Sequence, residues 1–326
     1  MRYFDVFNGD ADGICSLHQL RLADPLDSTL ITGLKRDIEL LQGVPAAAGD
    51  VVTVLDISLD RNREALAKLL GKGAVVRYFD HHYAGEIPVH PRLTTVIDDS
   101  HAACTSALVD RHLHGRCRIW AVVGAFGDGA DATATELARP LGLDTLSLDR
   151  LRELGITLNY SAYGQSEADV LALPVDLYRT VSHYADPFDL CAKERIFELL
   201  AEERRKDLER VGALQPHGAT TSATVWVLPD APWARRVSGT FANRLCARQP
   251  RFAHAVLTPI AGNAYVVSVR APNGSKVSAV EFCRRYPTGG GRVGSAGIDR
   301  LETDRLAAFL KEFNSTWPAR APAAHD

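Results

Sequence analysis

The sequence predicts an α/β protein: a parallel sheet with helices on both faces, joined by a long helix and a linker to a smaller α+β domain. Three observations carry this expectation. Short β-branched runs alternate with helix-patterned stretches through the first half, the order from which parallel sheets are built. A charged, helix-patterned stretch and a polar linker then interrupt the alternation. Charge divides at the same place: residues 213–326 carry 14 Lys+Arg against 7 Asp+Glu, and residues 1–212 carry 23 against 33. An acidic front suits cations and a basic back suits an anion.

The expected strands of the front half are Arg2–Phe7, Thr29–Thr32, Val51–Ile57, Ala74–Phe79 and Thr94–Ile97, each a short run rich in β-branched or aromatic residues. The stretches Ile14–Leu22, Asp60–Leu70 and Ala102–His114 read as helices between them, followed by Ile119–Phe126, Thr133–Leu141 and Asp149–Leu154. Pro187 then opens residues 186–211, in which Ile196, Leu199, Leu200, Leu208 and Val211 recur at helical spacing. One long helix is expected there, with "GALQPHGATTS" as a linker. The back half offers strands Thr224–Leu228, Ala253–Thr258 and Tyr265–Arg270, and helices Gly239–Ala247, Val277–Arg285 and Thr303–Phe313. The expected domains are therefore 1–185, a connecting helix and linker over 186–217, and 218–326.

Composition narrows the class. With 46% hydrophobic and 24% charged residues the chain has ordinary globular usage. No apolar run approaches the ~20 residues that span a bilayer. The start, "MRYFDVFNGDAD", turns acidic at once and lacks a signal-peptide core. A cytoplasmic protein without a membrane partner is the expectation. The six cysteines form no CxxC pair and read as small core residues rather than a zinc site.

Acids cluster where apolar runs end. Asp10 and Asp12 follow the first strand in "VFNGDADG", Asp56 ends "VVTVLD", and Asp80, His81 and His82 end "VVRYFDHH". Asp128 and Asp131 lie in a Gly-rich stretch after another apolar run. In open α/β sheets the carboxyl ends of the strands border the ligand crevice. Carboxylates gathered there repel one another unless cations neutralise them. An oxygen-plus-imidazole set without thiolate suits Mn²⁺ or Mg²⁺, with Co²⁺ or Zn²⁺ as substitutes. Two such ions ~3.5–4 Å apart can activate a bridging water and clamp both oxygens of an in-line phosphoryl displacement.

In this order, "NGDADG", "VLDIS", "FDHH" and "GAFGD" resemble the four motifs of the DHH phosphoesterase superfamily, whose eponymous triplet is here Asp80–His81–His82. "VSVRAPNGSKVSAVEFCRRYPTGGGRVGSAG" resembles the strand-arginine, helix and Gly-Gly-Gly-His pattern of its DHH-associated domain. The resemblance runs over nearly the whole chain. It implies two metal ions and hydrolysis of phosphodiester or phosphoanhydride bonds. Carried over, Asp10 and Asp56 would hold one ion, and Asp12, Asp56, His81 and Asp128 the other, with Asp56 bridging. His82 would sit against the scissile phosphate as donor or acid. Asp80 would be a ligand or would orient an imidazole. Arg270, Gly289, Gly290, Gly291 and Arg292 would bind substrate phosphate, the glycines as an anion nest.

The chain departs from the family pattern twice. Val6 stands where small-nucleotide members usually carry a histidine, leaving the first ion short of one ligand; RecJ-type exonucleases lack that histidine too. Water, Asn8, Asp131 or His101 are candidates for the gap, and His101 also for substrate contact, unless it merely opens a helix. Arg292 stands where the associated domain usually has histidine; it can fork onto phosphate but cannot give up a proton near neutrality. The expected activity is hydrolysis of short oligonucleotides or linear dinucleotides to mononucleotides. A RecJ-like 5′-to-3′ exonuclease, a nucleotide phosphatase or polyphosphatase, and a non-catalytic nucleotide-binding regulator are the alternatives. The expected partner is thus a short nucleic acid or nucleotide; the oligomeric state is left open, a homodimer being one option.

Overall fold

The computed structural model describes residues 1–100 and 103–318. Its five parallel strands, β1 (Tyr3–Asn8), β2 (Thr29–Gly33), β3 (Val51–Leu55), β4 (Val75–Asp80) and β5 (Leu93–Ile97), lie in the spatial order β2-β1-β3-β4-β5. The chain leaves β1 for β2 on one side and returns to β3 on the other. Strand order therefore reverses between β1 and β3, and the carboxyl ends of those two strands bound the crevice that such a reversal opens. Successive side chains serve opposite faces, as the strand period of two requires. Phe4, Val6, Val52, Val54, Val76 and Tyr78 enter one apolar core, and Phe7, Leu55 and Phe79 enter the other.

Among the described residues, nine helices follow or separate these strands: α1 (Ala11–Ala23), α2 (Arg63–Gly71), α3 (Thr105–His112), α4 (Arg118–Gly127), α5 (Asp131–Ala138), α6 (Thr145–Ser161), α7 (Pro174–Ser182), α8 (Pro187–Lys193) and α9 (Arg195–Gly212). Residues of α2 cover the first face; α1, α3, α4, α6 and α7 supply the core of the second. Close approach among α1, α4 and α6 depends on glycine. A Cβ on Gly127 would lie 2.2 Å from that of Ala11, and one on Gly155 2.2 Å from the Val123 carbonyl. This packing brings the end of α4 to the start of α1.

The expected single helix over 186–211 is two. Glu194 adopts an extended conformation between α8 and α9, and its carboxylate accepts the Tyr184 hydroxyl at 2.6 Å. A tertiary hydrogen bond thus accompanies a break that helical periodicity does not register. The sequence reading also lacks α7, stops α6 short, and begins at Ala102, outside the described residues, a helix that starts at Thr105. Two compact units result, Met1–Arg204 and Arg205–Asp326, the division falling inside α9. Among the described residues no helix is long and apolar enough to cross a membrane.

The second unit carries β6 (Gly218–Ala219), β7 (Ala223–Val227), β8 (Ala253–Ile260), β9 (Ala264–Arg270), β10 (Gly289–Gly291) and β11 (Ser295–Glu302), ordered β10-β11-β9-β8-β7-β6, with α10 (Pro232–Arg248), α11 (Ala279–Cys283) and α12 (Leu306–Thr316). The sequence reading misses β6, β10 and β11. Gly289–Gly291, read as a nest, is an edge strand paired antiparallel with Ala296–Ile298. A Cβ on Gly289 would fall 1.7 Å from the Cys283 carbonyl, and Gly291 has a φ of 135°. These glycines admit the turn and strand to a crowded place, and the Gly289 and Arg292 N–H groups are spent on the Tyr286 and Ser295 carbonyls.

A pH dependence follows from His18 on α1. Its imidazole is buried, edge-on to Trp120, with Nε2 2.8 Å from the Tyr184 carbonyl. Burial outweighs that hydrogen bond and holds its pKa down to about 4. The unfolded chain takes up a proton near 6.5 that the native state refuses until about 4, so stability falls with pH through that window. Denaturant titrations should show the wild type losing about 2 kcal/mol more than His18→Gln between pH 7 and 5. Equal losses would show that His18 titrates normally in the native state.

Candidate metal centre

Asp10, Asp12, Asp56, His81 and Asp128 all lie in the first unit. Asp10 caps α1: its Oδ1 accepts the Asp12 and Gly13 N–H groups, both at 3.1 Å. A Cβ on Gly13 would lie 2.1 Å from the Asn8 carbonyl, so this first turn closes directly over the end of β1. The Asn8 side-chain oxygen is itself occupied by the Asp10 N–H at 3.2 Å. Asp12, in the first turn of α1, is buried against the start of α3, where its two oxygens accept the Thr105 and Ser106 N–H groups at 2.7 Å.

Asp56 follows β3 with a φ of 59°, in the left-handed region that few non-glycine residues adopt. Such positions persist where surrounding contacts over-determine them, and they gather at functional sites. Here the Asp56 N–H donates to the Phe79 carbonyl at 3.0 Å, and the Thr105 hydroxyl donates to its carboxylate at 3.2 Å.

His81 and His82 leave the end of β4 in different roles. His81 Nδ1 is 2.8 Å from the Ala103 carbonyl, a bond only a protonated Nδ1 can make. Its Nε2 then faces Asp56 at 3.4 Å, Asp128 at 3.8 Å and Asp12 at 3.9 Å. His82 Nδ1 lies 2.7 Å from Asp80 Oδ1, which also accepts the His81 N–H at 2.9 Å. Asp80 is fully buried; its Oδ1 meets these two residues, and its Oδ2 has no hydrogen-bond partner among the described residues. His82 is left half-buried, its Nε2 without a hydrogen-bond partner among the described residues.

Asp128 reaches the cluster from the end of α4, a helix terminus rather than a strand end. Asp131 does not join it; exposed, it pairs with Arg152 at 3.2 Å. His101 lies outside the described residues. Arg270 ends β9 in the second unit, where its Nε donates to Asn243 at 2.9 Å, and Arg292 is exposed in the turn after β10.

One member of the cluster escapes the sequence reading. Lys35, two residues past β2, places its ammonium against Asp10, 3.3 Å from the Asn159 side-chain oxygen and 3.6 Å from Asp128. The available signal is a lysine following a strand beside the reversal of strand order, but that order is a tertiary fact.

The electrostatics are those of an uncompensated site. Burial raises Asp56 well above the usual carboxylate range, and the charges of Asp10 and Asp12 add to it. Burial and Asp128 likewise raise Asp12. Burial opposes charge on His81, but Asp56, Asp12 and Asp128 outweigh it and push its pKa up to about 10. Asp10 differs: burial would raise it, and Lys35 brings it below the usual value. Cys15 and Cys104 are held well above the usual thiol range by burial and by Asp12, so thiolate is not offered.

The donor set fits a divalent cation. One ligand atom each from Asp12, His81 and Asp128 lie within 4.8 Å of one another, as do those from Asp56, His81 and His82. Three carboxylates and an imidazole whose other nitrogen is tied to a carbonyl suit Mn²⁺ or Mg²⁺.

No family model and no curated protein matches the sequence. Solved structures do. Exonuclease RecJ bound to manganese is 17% identical with a TM-score of 0.64, the match covering 98% of this chain and 91% of that one. RecJ of Thermus thermophilus in complex with Mn²⁺ is 17% identical with a TM-score of 0.65, and 98% of this chain spans 53% of it. The pGpG-specific phosphodiesterase PggH from Vibrio is 15% identical with a TM-score of 0.58, over 97% of this chain and 100% of that one. The fold is that of the DHH phosphoesterases that the sequence resembles.

Proposed function

We propose that the chain is a metal-dependent phosphoesterase that hydrolyses short oligonucleotides or linear dinucleotides to mononucleotides. The observation that carries this reading is the separate settings of two adjacent histidines: His81 Nε2 converges with three carboxylates, and Asp80 holds His82 through Nδ1. Asp12, Asp56, His81 and Asp128 would hold Mn²⁺ or Mg²⁺. A divalent cation there supplies Lewis-acid stabilisation of phosphoryl oxygens and lowers the pKa of water. As an imidazolium, His82 would donate from Nδ1 to Asp80 and from Nε2 to the leaving oxygen, and Asp80 holds the ring in that orientation.

The match over the full length of a pGpG-specific phosphodiesterase supports a short substrate. The RecJ structures favour a second reading, a 5′-to-3′ single-strand exonuclease. Incubation with Mn²⁺ and a ladder of 5′-labelled DNA and RNA, from dinucleotide to thirty-mer, separates them. Turnover that is fastest on the shortest members supports the proposal; processive loss from the 5′ end of the longest supports the exonuclease.

The side chains of Arg270 and Arg292 are the proposed substrate-phosphate contacts. Such a contact exists before and during reaction alike, so its removal acts on KM. Arg292→Ala should raise KM roughly 10- to 150-fold with kcat little changed, as expected for a charge-assisted pair worth ~1.5–3 kcal/mol. The effect should shrink on a dinucleotide lacking its 5′-phosphate. Loss of kcat on both substrates with KM unchanged would remove Arg292 from substrate binding.

A further inference from the structure

Resting on the metal-dependent reading above, we infer that the Lys35 ammonium fills one of the two cation positions of this acidic cluster, so that the chain holds one divalent ion rather than two. The cluster has two halves. Around His81 Nε2, Asp12, Asp56 and Asp128 converge at 3.4 to 3.9 Å, and one ligand atom each from Asp12, His81 and Asp128 lie within 4.8 Å of one another. Around Asp10 three of about four acceptor positions are taken: Oδ1 takes two backbone N–H groups of α1, and Oδ2 takes Lys35.

Lys35 is not a stray surface side chain in this position. Its backbone N–H donates to the Ala162 carbonyl at 3.0 Å, and its carbonyl accepts the Asn8 side-chain amide at 3.4 Å. The chain around it is thereby fastened both to the end of α6 and to the β1–α1 turn. Its Nζ donates to Asp10 and to Asn159 and stands 3.6 Å from Asp128 as an ion pair. A dication ligated by Asp10 would compete with that ammonium. The absence of a histidine at Val6, which is buried in the apolar core, removes a donor that would help it do so.

Lysine and a metal ion are not equivalent. An ammonium is a compact point charge that donates hydrogen bonds; it does not accept water as a ligand. The site is therefore asymmetric. Its metal-binding half lies on the His81 side, and its Asp10 half presents a fixed positive charge.

The test counts ions. Wild type, Lys35→Ala and Lys35→Arg are dialysed against saturating Mn²⁺, and bound metal is measured together with the electron paramagnetic resonance spectrum. The wild type should hold one ion per chain without the signature of an exchange-coupled pair, and so should Lys35→Arg. Lys35→Ala should hold two, with coupling. Two ions in the wild type overturn the inference, and accompanying Mn²⁺-dependent turnover would leave the phosphoesterase reading standing. A folded Lys35→Ala that still binds one ion also overturns it, because the lysine is then not what excludes the second. Should Lys35→Ala fail to fold, the wild-type count decides alone. No ion bound and no turnover would sink both readings.

Discussion

Asp56→Asn is expected to abolish hydrolysis while leaving the metal-free protein no less stable than the wild type. The substitution is chosen for its backbone. Asparagine shares with aspartate a tolerance of the left-handed region that Asp56 occupies, whereas a β-branched residue would strain it. Its side-chain oxygen can keep the Thr105 hydroxyl bond. What it removes is a buried negative charge that burial, Asp10 and Asp12 all disfavour. Because the folded pKa is raised above the unfolded one, the native state binds this proton more tightly. That stability is fully present below the unfolded pKa and is lost as pH rises through the folded pKa, so above the ordinary carboxylate range the carboxyl carries a cost that asparagine lacks. Catalysis depends on the same charge, since Asp56 faces His81 Nε2 at 3.4 Å in the proposed metal-binding half. Loss of the carboxylate should lower Mn²⁺-dependent kcat/KM by at least about a thousandfold, equivalent to ~4 kcal/mol of transition-state stabilisation. Urea unfolding and steady-state hydrolysis, run on the same preparation, check both halves. A folded variant that keeps more than about a tenth of the wild-type rate, a loss of only ~1.4 kcal/mol, would remove Asp56 from the metal site.

The second large effect is expected at His82, and its size should depend on the leaving group. Asp80 accepts from Nδ1 and leaves Nε2 as the nitrogen able to exchange a proton with substrate. General acid catalysis of this kind contributes roughly 10²–10⁴-fold. His82→Asn should therefore lower kcat on a dinucleotide by that order, with KM nearly unchanged. On bis-p-nitrophenyl phosphate the loss should be under about tenfold, because a nitrophenolate leaves without needing a proton. Asp80→Asn should show the same substrate contrast at smaller amplitude, since an amide can face Nδ1 with either its oxygen or its NH₂ and no longer selects one tautomer. Equal losses on both substrates would show that His82 positions the phosphate or the metal site rather than protonating the leaving oxygen.

The acids of the site are legible because strand chemistry is local. Short β-branched runs end where the carboxyl edge of a parallel sheet must be, so Asp10, Asp12, Asp56 and the Asp80–His82 triplet can be placed on one edge before any contact is known. The apolar alternation of Phe4, Val6 and Phe7 is equally local, and it sorts the two cores. Strand order is not local. Only the fold sets β1 beside β3, which turns the edge into a crevice, and only the fold carries Lys35 from the end of β2 to Asp10. Asp128 belongs to the same class: its position rests on glycines that let α4 close onto α1 and α6, a contact between segments distant in the chain. The contacts of the triplet are likewise undecided by sequence: only the fold sets the Asp80 carboxylate against His82 Nδ1. The glycine run of the second unit looks like a loop because glycine carries no strand propensity. Pairing with β11 and crowding against the Cys283 carbonyl make it a strand. Periodicity and residue chemistry thus determined which groups face the crevice; distances between segments remote in sequence decided how those groups divide the work.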